Sequence, residues 1–307
     1  MKKIAVLVPC YNEGLTIRKV VEDFRRELPE AEIYVYDNNS TDNTASEAAA
    51  AGAIVRREWV QGKGSVVRSM FRDIEADLYV MVDGDDTYPA RFVHDVIRPV
   101  ADEEADMSIG DRLTNGSYFK ENSRKFHGFG NNLVRAAINR VFDARLRDIM
   151  TGYRCFSRRF VKSFPVLNNG FQLETEMTLY ALNYKMRIVE IPIDFVERPE
   201  GSESKLNTFS DGARVLMCIF NMYRHYRPLA FFSWIALVFV LLSLLIGLPT
   251  VVEYAQTHYV SKVPSAILAS GLFVMALLFF VCGLILDSVE QNERQSVEQR
   301  LKSNFRS

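Results

Sequence analysis

Cysteine is scarce and scattered in this chain. Cys10, Cys155, Cys218 and Cys282 are far apart among 307 residues and form no close pair, so neither a zinc knuckle nor a disulfide framework is suggested. A reducing, cytosolic setting is therefore expected for the polar part. An excess of one charge is also missing: 37 Lys and Arg against 38 Asp and Glu leave a formal net charge of −1. Nucleic-acid binding normally shows a basic excess, so it finds no support here. No Gly-x-Gly-x-x-Gly fingerprint occurs, which argues against a nicotinamide or flavin enzyme. Gly62-Lys63-Gly64 lacks the spacing of a phosphate loop, although a glycine-flanked lysine near a helix start can touch a phosphate or simply form a turn. The opening Met1-Lys2-Lys3-Ile4 does not read as a signal peptide, because its apolar run is short and breaks at Pro9.

What is present is an acidic stretch, Asp83-Gly84-Asp85-Asp86, directly after the apolar Val80-Met81-Val82. Crowded carboxylates repel one another unless something positive sits among them. Hard oxygen ligands of this kind suit Mg²⁺ or Mn²⁺, which usually hold a substrate's phosphates. A solvated turn whose acids cap the next helix is the alternative.

The surrounding pattern alternates strands and helices. Apolar runs at 4–8, 32–36 and 78–82 read as buried strands, a short one at 53–55 joins them, and helices open at Thr16, Thr44 and Gly62. Such alternation predicts right-handed crossovers and a mainly parallel sheet, with ligands beyond the carboxyl ends of its strands. Three of those ends are polar: Asn12-Glu13, Asp37 to Asp42, and Asp83 to Asp86. Their shared edge suggests a nucleotide-type pocket. Further strands are expected at 106–110 and 187–193, helices at 129–142 and 171–182 (acidic on one side through Glu174 and Glu176), and a tight turn at 148–154. Arg112, Arg124, Arg198 and Lys205 lie in loops or after strand ends, where an arginine fork suits a phosphate.

Two uncharged runs, Leu229 to Val252 and Val263 to Leu286, are each about 24 residues, enough to cross a bilayer as a tilted helix. Arg224, His225 and Arg227 precede the first, and Arg294, Arg300, Lys302 and Arg306 follow the second; the connecting loop has a single Lys262. The positive-inside rule then places both termini and the polar domain in the cytoplasm of a cell or plasma membrane, multi-pass. The expected organisation is a polar α/β domain at 1–207, an amphipathic segment at 208–227 that either lies in the membrane interface or packs as a surface helix, a two-helix hairpin at 228–287, and a tail at 288–307.

Taken together, Pro9-Cys10-Tyr11-Asn12-Glu13, Asp37-Asn38-Asn39-Ser40-Thr41-Asp42, Asp83-Gly84-Asp85, Asp106 to Arg112, Thr151-Gly152-Tyr153-Arg154, Glu190-Ile191-Pro192 and Arg198-x-x-Gly-x-x-Ser204-Lys205 resemble the family 2 glycosyltransferases of the GT-A fold. With the hairpin they look like the polyprenyl-phosphate glycosyltransferases, relatives of dolichol-phosphate mannosyltransferase. The resemblance implies a nucleotide-sugar donor held by Pro9, Tyr11, Glu13, Asp37, Asn39, Lys63, Asp83 and Gly84. It implies Mg²⁺ or Mn²⁺ on Asp85 with Asp83 or Asp86, and a polyprenyl phosphate gripped by Arg112, Arg124, Arg198 and Lys205. Asp148 is a base, an orienting group or a turn residue. Asp86 and Thr87 depart from the family's usual Asp-Ala-Asp-Leu-Gln-His-Pro. The implied activity is inverting transfer of a hexose to undecaprenyl phosphate for cell-envelope glycans, with UDP-glucose or UDP-N-acetylglucosamine favoured over GDP-mannose. A processive polysaccharide synthase and an inactive membrane scaffold are the alternatives. Relatives that form tetramers make self-association an expectation too.

Overall fold

The computed structural model describes residues 2–115, 135–136, 138–140, 142, 144–166, 172–199, 201, 217 and 219–304. Within them the chain forms two compact units, divided between Ile219 and Phe220.

The first unit is built on a seven-stranded sheet: β1 (Ile4–Cys10), β2 (Glu32–Asp37), β3 (Ile54–Arg57), β4 (Leu78–Met81), β5 (Met107–Asp111), β6 (Arg154–Ser157) and β7 (Ile188–Pro192), in spatial order β3-β2-β1-β4-β6-β5-β7. The continuous apolar runs take the centre, where both faces are covered. Ala5 to Val8 of β1 and Tyr79 to Met81 of β4 have no exposed surface. Helix α1 (Ile17–Glu27) buries Ile17, Val20, Val21 and Phe24, the four residues at helical spacing, and carries Arg25 and Arg26 in its last turn, where they complement its dipole. Helices α2 (Thr44–Ala50), α3 (Lys63–Asp73) and α4 (Val93–Ala101) complete the crossovers.

β1 pairs in parallel with both β2 and β4, so the three polar strand ends do share one edge. β6 is the exception to the parallel sheet. It runs antiparallel between β4 and β5 and begins at Arg154, the last residue of the expected turn, where no strand was expected to follow. Four residues are too few to show a period, and the first of them is an arginine. Its guanidinium is fully buried: it donates to the carbonyls of Ile149 (2.6 Å) and Thr151 (3.0 Å) and to the Thr178 hydroxyl (2.9 Å). Burial pulls its pKa down to about 10. β6 therefore brings the 149–153 loop back to the carboxyl edge. α5 (Arg158–Ser163) follows it, capped by Ser157, whose hydroxyl accepts from the Phe160 amide at 3.2 Å. α6 (Leu173–Asn183) is buried on nearly every side, Glu174 and Glu176 included, so it is a core helix and has no solvated acidic face.

The second unit pairs α7 (Pro228–Thr257) with α8 (Val263–Asn304). Both are long and apolar enough to cross a membrane, with mean hydropathies of 2.8 and 2.6 over their most apolar stretches. Small residues set their approach. A Cβ on Gly247 would stand 3.1 Å from Ala269 Cβ, one on Gly283 would stand 3.0 Å from Phe232 Cβ, and Ser243 donates to the Ala269 carbonyl at 2.8 Å. α8 has no break where the apolar run ends. The described part of the expected tail continues the same helix to Asn304. There Glu290 pairs with Arg294, which also donates to the carbonyl of Tyr226 at 3.3 Å. Residues 219–226 of the expected linker are helical as well.

Replacing Arg154 with leucine strands the carbonyls of Ile149 and Thr151 in the core. Thermal denaturation of the detergent-solubilised chain should show a loss of about 3 kcal/mol, a fall of roughly 8 °C in midpoint.

Candidate active site

Each strand end at the carboxyl edge places its own polar groups. β1 and β2 align Pro9 with Tyr36 and Cys10 with Asp37, so the two loops that follow leave side by side. They are laced together: the amides of Asn12 and Glu13 donate to the hydroxyls of Ser40 (2.9 Å) and Thr44 (2.8 Å), and the Thr41 amide donates to the Asn12 side chain at 2.8 Å. Asp37 is buried and accepts from the Ser40 amide at 3.3 Å. Asn38 donates to the carbonyls of Glu58 and Val60 and accepts from the Gly62 amide, at 3.0, 2.9 and 2.7 Å. Asn39, in a left-handed conformation at φ 61°, donates to the Trp59 carbonyl at 2.9 Å. Tyr11 is partly exposed beside this frame.

The acidic stretch after β4 is neutralised from three directions. Asp83 accepts from Lys63 Nζ at 2.6 Å, and the same ammonium reaches Glu174 at 2.6 Å. Burial alone would lower the Lys63 pKa, but Asp83 and Glu174 outweigh it and the net shift is upward. Asp85 is buried. One oxygen accepts from the Thr87 hydroxyl (2.7 Å) and amide (3.2 Å), and the other pairs with Arg198, which also stands 3.8 Å from Glu13. Burial first, then the charge of Asp83, hold the Asp85 carboxyl above the ordinary range against the opposing pull of Arg198. Asp86, at φ 61°, directs its carboxylate to Lys19 at 2.8 Å.

Two glycines make this crowding possible. A Cβ on Gly84 would come within 2.7 Å of Cys10 Sγ, and one on Gly152 within 2.4 Å of Asp83 Oδ2. The 149–153 loop thus lies against the acidic stretch. Tyr88 joins them: its hydroxyl accepts from the Gly152 amide at 3.0 Å and from Arg112 Nη1 at 3.4 Å, and burial pushes its pKa up to about 12. Arg112 and Asp148 form a buried bidentate pair at 2.7 and 2.9 Å, with the guanidinium 5.7 Å from the Phe195 ring centre. Glu190 in turn accepts from the amides of Arg147 (2.7 Å) and Asp148 (2.9 Å). The edge is therefore a row of acids and cations in alternation.

A hard divalent cation fits this donor set if a diphosphate supplies further oxygens. Mg²⁺ or Mn²⁺ needs one or two carboxylates besides phosphate, and Asp85 with its near neighbour Asp83 provides them. Among the described residues no group of three or more His, Cys, Asp or Glu makes a complete protein cage.

Residues 5–164 match the family model described as Glycosyl transferase family 2. The chain is a family 2 glycosyltransferase. It is 28% identical over 302 residues to Glycosyltransferase AglJ of Haloferax volcanii, covering 96% of this chain and 97% of that protein. It is 28% identical over 212 residues to the dolichyl-phosphate hexose transferase of the same organism (69% and 90% covered). It is 26% identical over 219 residues to the undecaprenyl-phosphate mannosyltransferase of Micrococcus luteus (67% and 88%). Glucosyl-3-phosphoglycerate synthase from Mycobacterium tuberculosis, solved with Mn²⁺, UDP and glucosyl-3-phosphoglycerate, superposes with a TM-score of 0.60 over 72% of this chain and 80% of that one. At 20% identity that likeness is one of fold, and the transferase has the same GT-A-like sheet.

Of the transferase residues singled out in the sequence, Glu13, Asp83, Asp85, Lys63 and Arg198 are joined by direct ion pairs, and Arg112 with Asp148 reaches the same edge through Tyr88. Asp86 points elsewhere, and Arg124 and Lys205 lie outside the described residues. Glu174, Thr87, Tyr88 and Glu190 belong to the site as well. Glu174 left no sign of this in the sequence, because Glu176, Thr175, Thr178 and Asn183 share its helix.

Burial raises the Glu190 pKa in the folded state. Its contribution to stability is therefore full below the unfolded value of about 4.3 and is lost as pH rises through the folded value. Glu190→Gln, neutral throughout, should gain stability over wild type with rising pH, and the two should converge below about pH 4 in thermal melts.

Proposed function

We propose that this transferase moves a hexose from a nucleotide sugar to polyprenyl phosphate at the cytoplasmic membrane face, with inversion at the anomeric carbon. The observation that carries the reading is the pairing of opposites at one sheet edge: Asp83 and Asp85 for a donor diphosphate, and Arg112 and Arg198 for a second, anionic substrate. Two helices of membrane length in the same chain, and relatives named for dolichyl-phosphate and undecaprenyl-phosphate transfer, support a lipid as that substrate. The cations flanking the two long helices support the cytoplasmic side.

In this reading Pro9, Tyr11, Asp37 and Asn39 frame the nucleoside. Lys63 reaches the diphosphate side, and Asp85 with Asp83 holds the cation. A bound Mg²⁺ or Mn²⁺ stabilises the charge that grows on the leaving diphosphate. A lipid-phosphate oxygen attacks the anomeric carbon as the bond to the nucleoside diphosphate breaks, so an α-linked donor gives a β-linked product. That oxygen is already ionised near neutral pH and needs no strong base. Asp148 accordingly serves to orient Arg112, whose bidentate pairing fixes the guanidinium plane. Positioning by such a fixed cation supplies rate without proton transfer. Asp86, paired with Lys19, stays outside the cation site. UDP-glucose or UDP-N-acetylglucosamine is the favoured donor, by family resemblance and by the fold neighbour solved with UDP.

The test incubates the full chain in proteoliposomes with undecaprenyl phosphate, Mn²⁺ and radiolabelled UDP-glucose, UDP-N-acetylglucosamine or GDP-mannose in parallel. A lipid-extractable labelled product is expected with a UDP donor. It should be lost with EDTA, fall about a thousandfold in Asp85→Ala and about a hundredfold in Arg112→Lys. Label with GDP-mannose alone would reassign the donor. Label confined to long glycan would point to a synthase, and nucleotide binding without any product would sink the enzymatic reading.

A further inference from the structure

Arg198 occupies a place that the proposed chemistry needs for something else. Its guanidinium spans two acids from different strand ends, Asp85 after β4 and Glu13 after β1. Asp85 is buried, and its other oxygen is committed to Thr87. The oxygen that Arg198 takes is therefore the one through which Asp85 can accept a second cation. Arg198 itself lies beyond β7 in a stretch without regular secondary structure. Two residues before it, the Val196 amide donates to the Thr87 carbonyl at 3.1 Å, tying this stretch to the acidic loop. The side chain is partly exposed, whereas its acidic partners are almost covered. A partly exposed arginine thus neutralises a buried acid.

We propose that Arg198 is a resident counter-ion that excludes the divalent cation from Asp85 until the donor arrives, and is then released to receive the anionic acceptor. The inference rests on the reading of Asp85 as the cation-holding carboxylate. Two positive charges on one buried oxygen repel each other, so the Arg198 pair and the divalent cation are mutually exclusive at that atom. A donor diphosphate adds negative charge and tips the exchange toward the divalent cation. The displaced guanidinium then has no buried acid to hold at Asp85, and its fork suits a phosphate. Order of binding follows: nucleotide sugar first, lipid phosphate second. An acceptor bound without a donor would meet Arg198 still folded onto the acids.

Binding of Mn²⁺ alone to the full-length protein in nanodiscs, measured without nucleotide by the electron paramagnetic resonance of free Mn²⁺, tests this directly. Arg198→Gln should bind Mn²⁺ at least about tenfold more tightly than wild type. Arg198→Lys, which keeps the charge but loses the fork, should fall between them. Asp85→Asn should weaken binding below wild type, and the double variant should match Asp85→Asn. Equal affinity in wild type and Arg198→Gln, with Asp85→Asn still weakened, overturns the exclusion while leaving the cation site standing. Affinity unchanged by Asp85→Asn overturns both, whereas a gain in Arg198→Gln that survives the Asp85 substitution overturns the exclusion alone.

Discussion

Negative charge crowded at the end of a buried strand is the constraint on which this structure turns. Asp83 and Asp85 emerge from β4 beside a buried apolar core, where unpaired carboxylates are costly. Neither strand nor loop can neutralise them locally, since the stretch itself holds no base. The cations come from far along the chain: Lys63 from the start of α3 and Arg198 from beyond β7. Much of the topology brings those groups together. β6 runs backward through the sheet so that Gly152 can lie against Asp83, and α6 presents Glu174 to share the Lys63 charge.

The same arrangement explains why the arginines differ. Arg154 is locked into the core by carbonyls and shapes the loop. Arg112 is held by a bidentate acid and keeps one orientation. Arg198 pairs across two elements from a stretch without regular structure. A cation held by a buried bidentate acid suits positioning, and a partly exposed one at a loop suits exchange. Burial and the element each side chain comes from separate the three, and residue type does not.

The parallel half of the sheet was legible in the sequence because its strands are continuous apolar runs and its helices repeat at 3.6 residues. Ile17, Val20, Val21 and Phe24 face the core as their spacing requires. The shared edge of polar strand ends followed from that topology alone. β6 was not legible: it is short and opens on Arg154, whose burial depends on carbonyls that no local pattern announces. Glu174 looked like a surface acid because its partner lies 111 residues away. The separate destinations of Asp83, Asp85 and Asp86 were hidden for a related reason. A backbone twist at Asp86 and two missing Cβ atoms decide them, and neither leaves a periodic trace.

The unbroken course of α8 has a mechanical consequence. A continuous helix transmits rotational phase, so the azimuth of its charged end is set by residues in its apolar run. Each inserted residue turns everything beyond it by about 100°. One extra residue near Leu286 would leave both segments helical yet swing Arg294 away from the carbonyl of Tyr226. The apolar run and the charged end are therefore coupled like two gears on one shaft, and geometry constrains the length of that stretch, whatever its side chains.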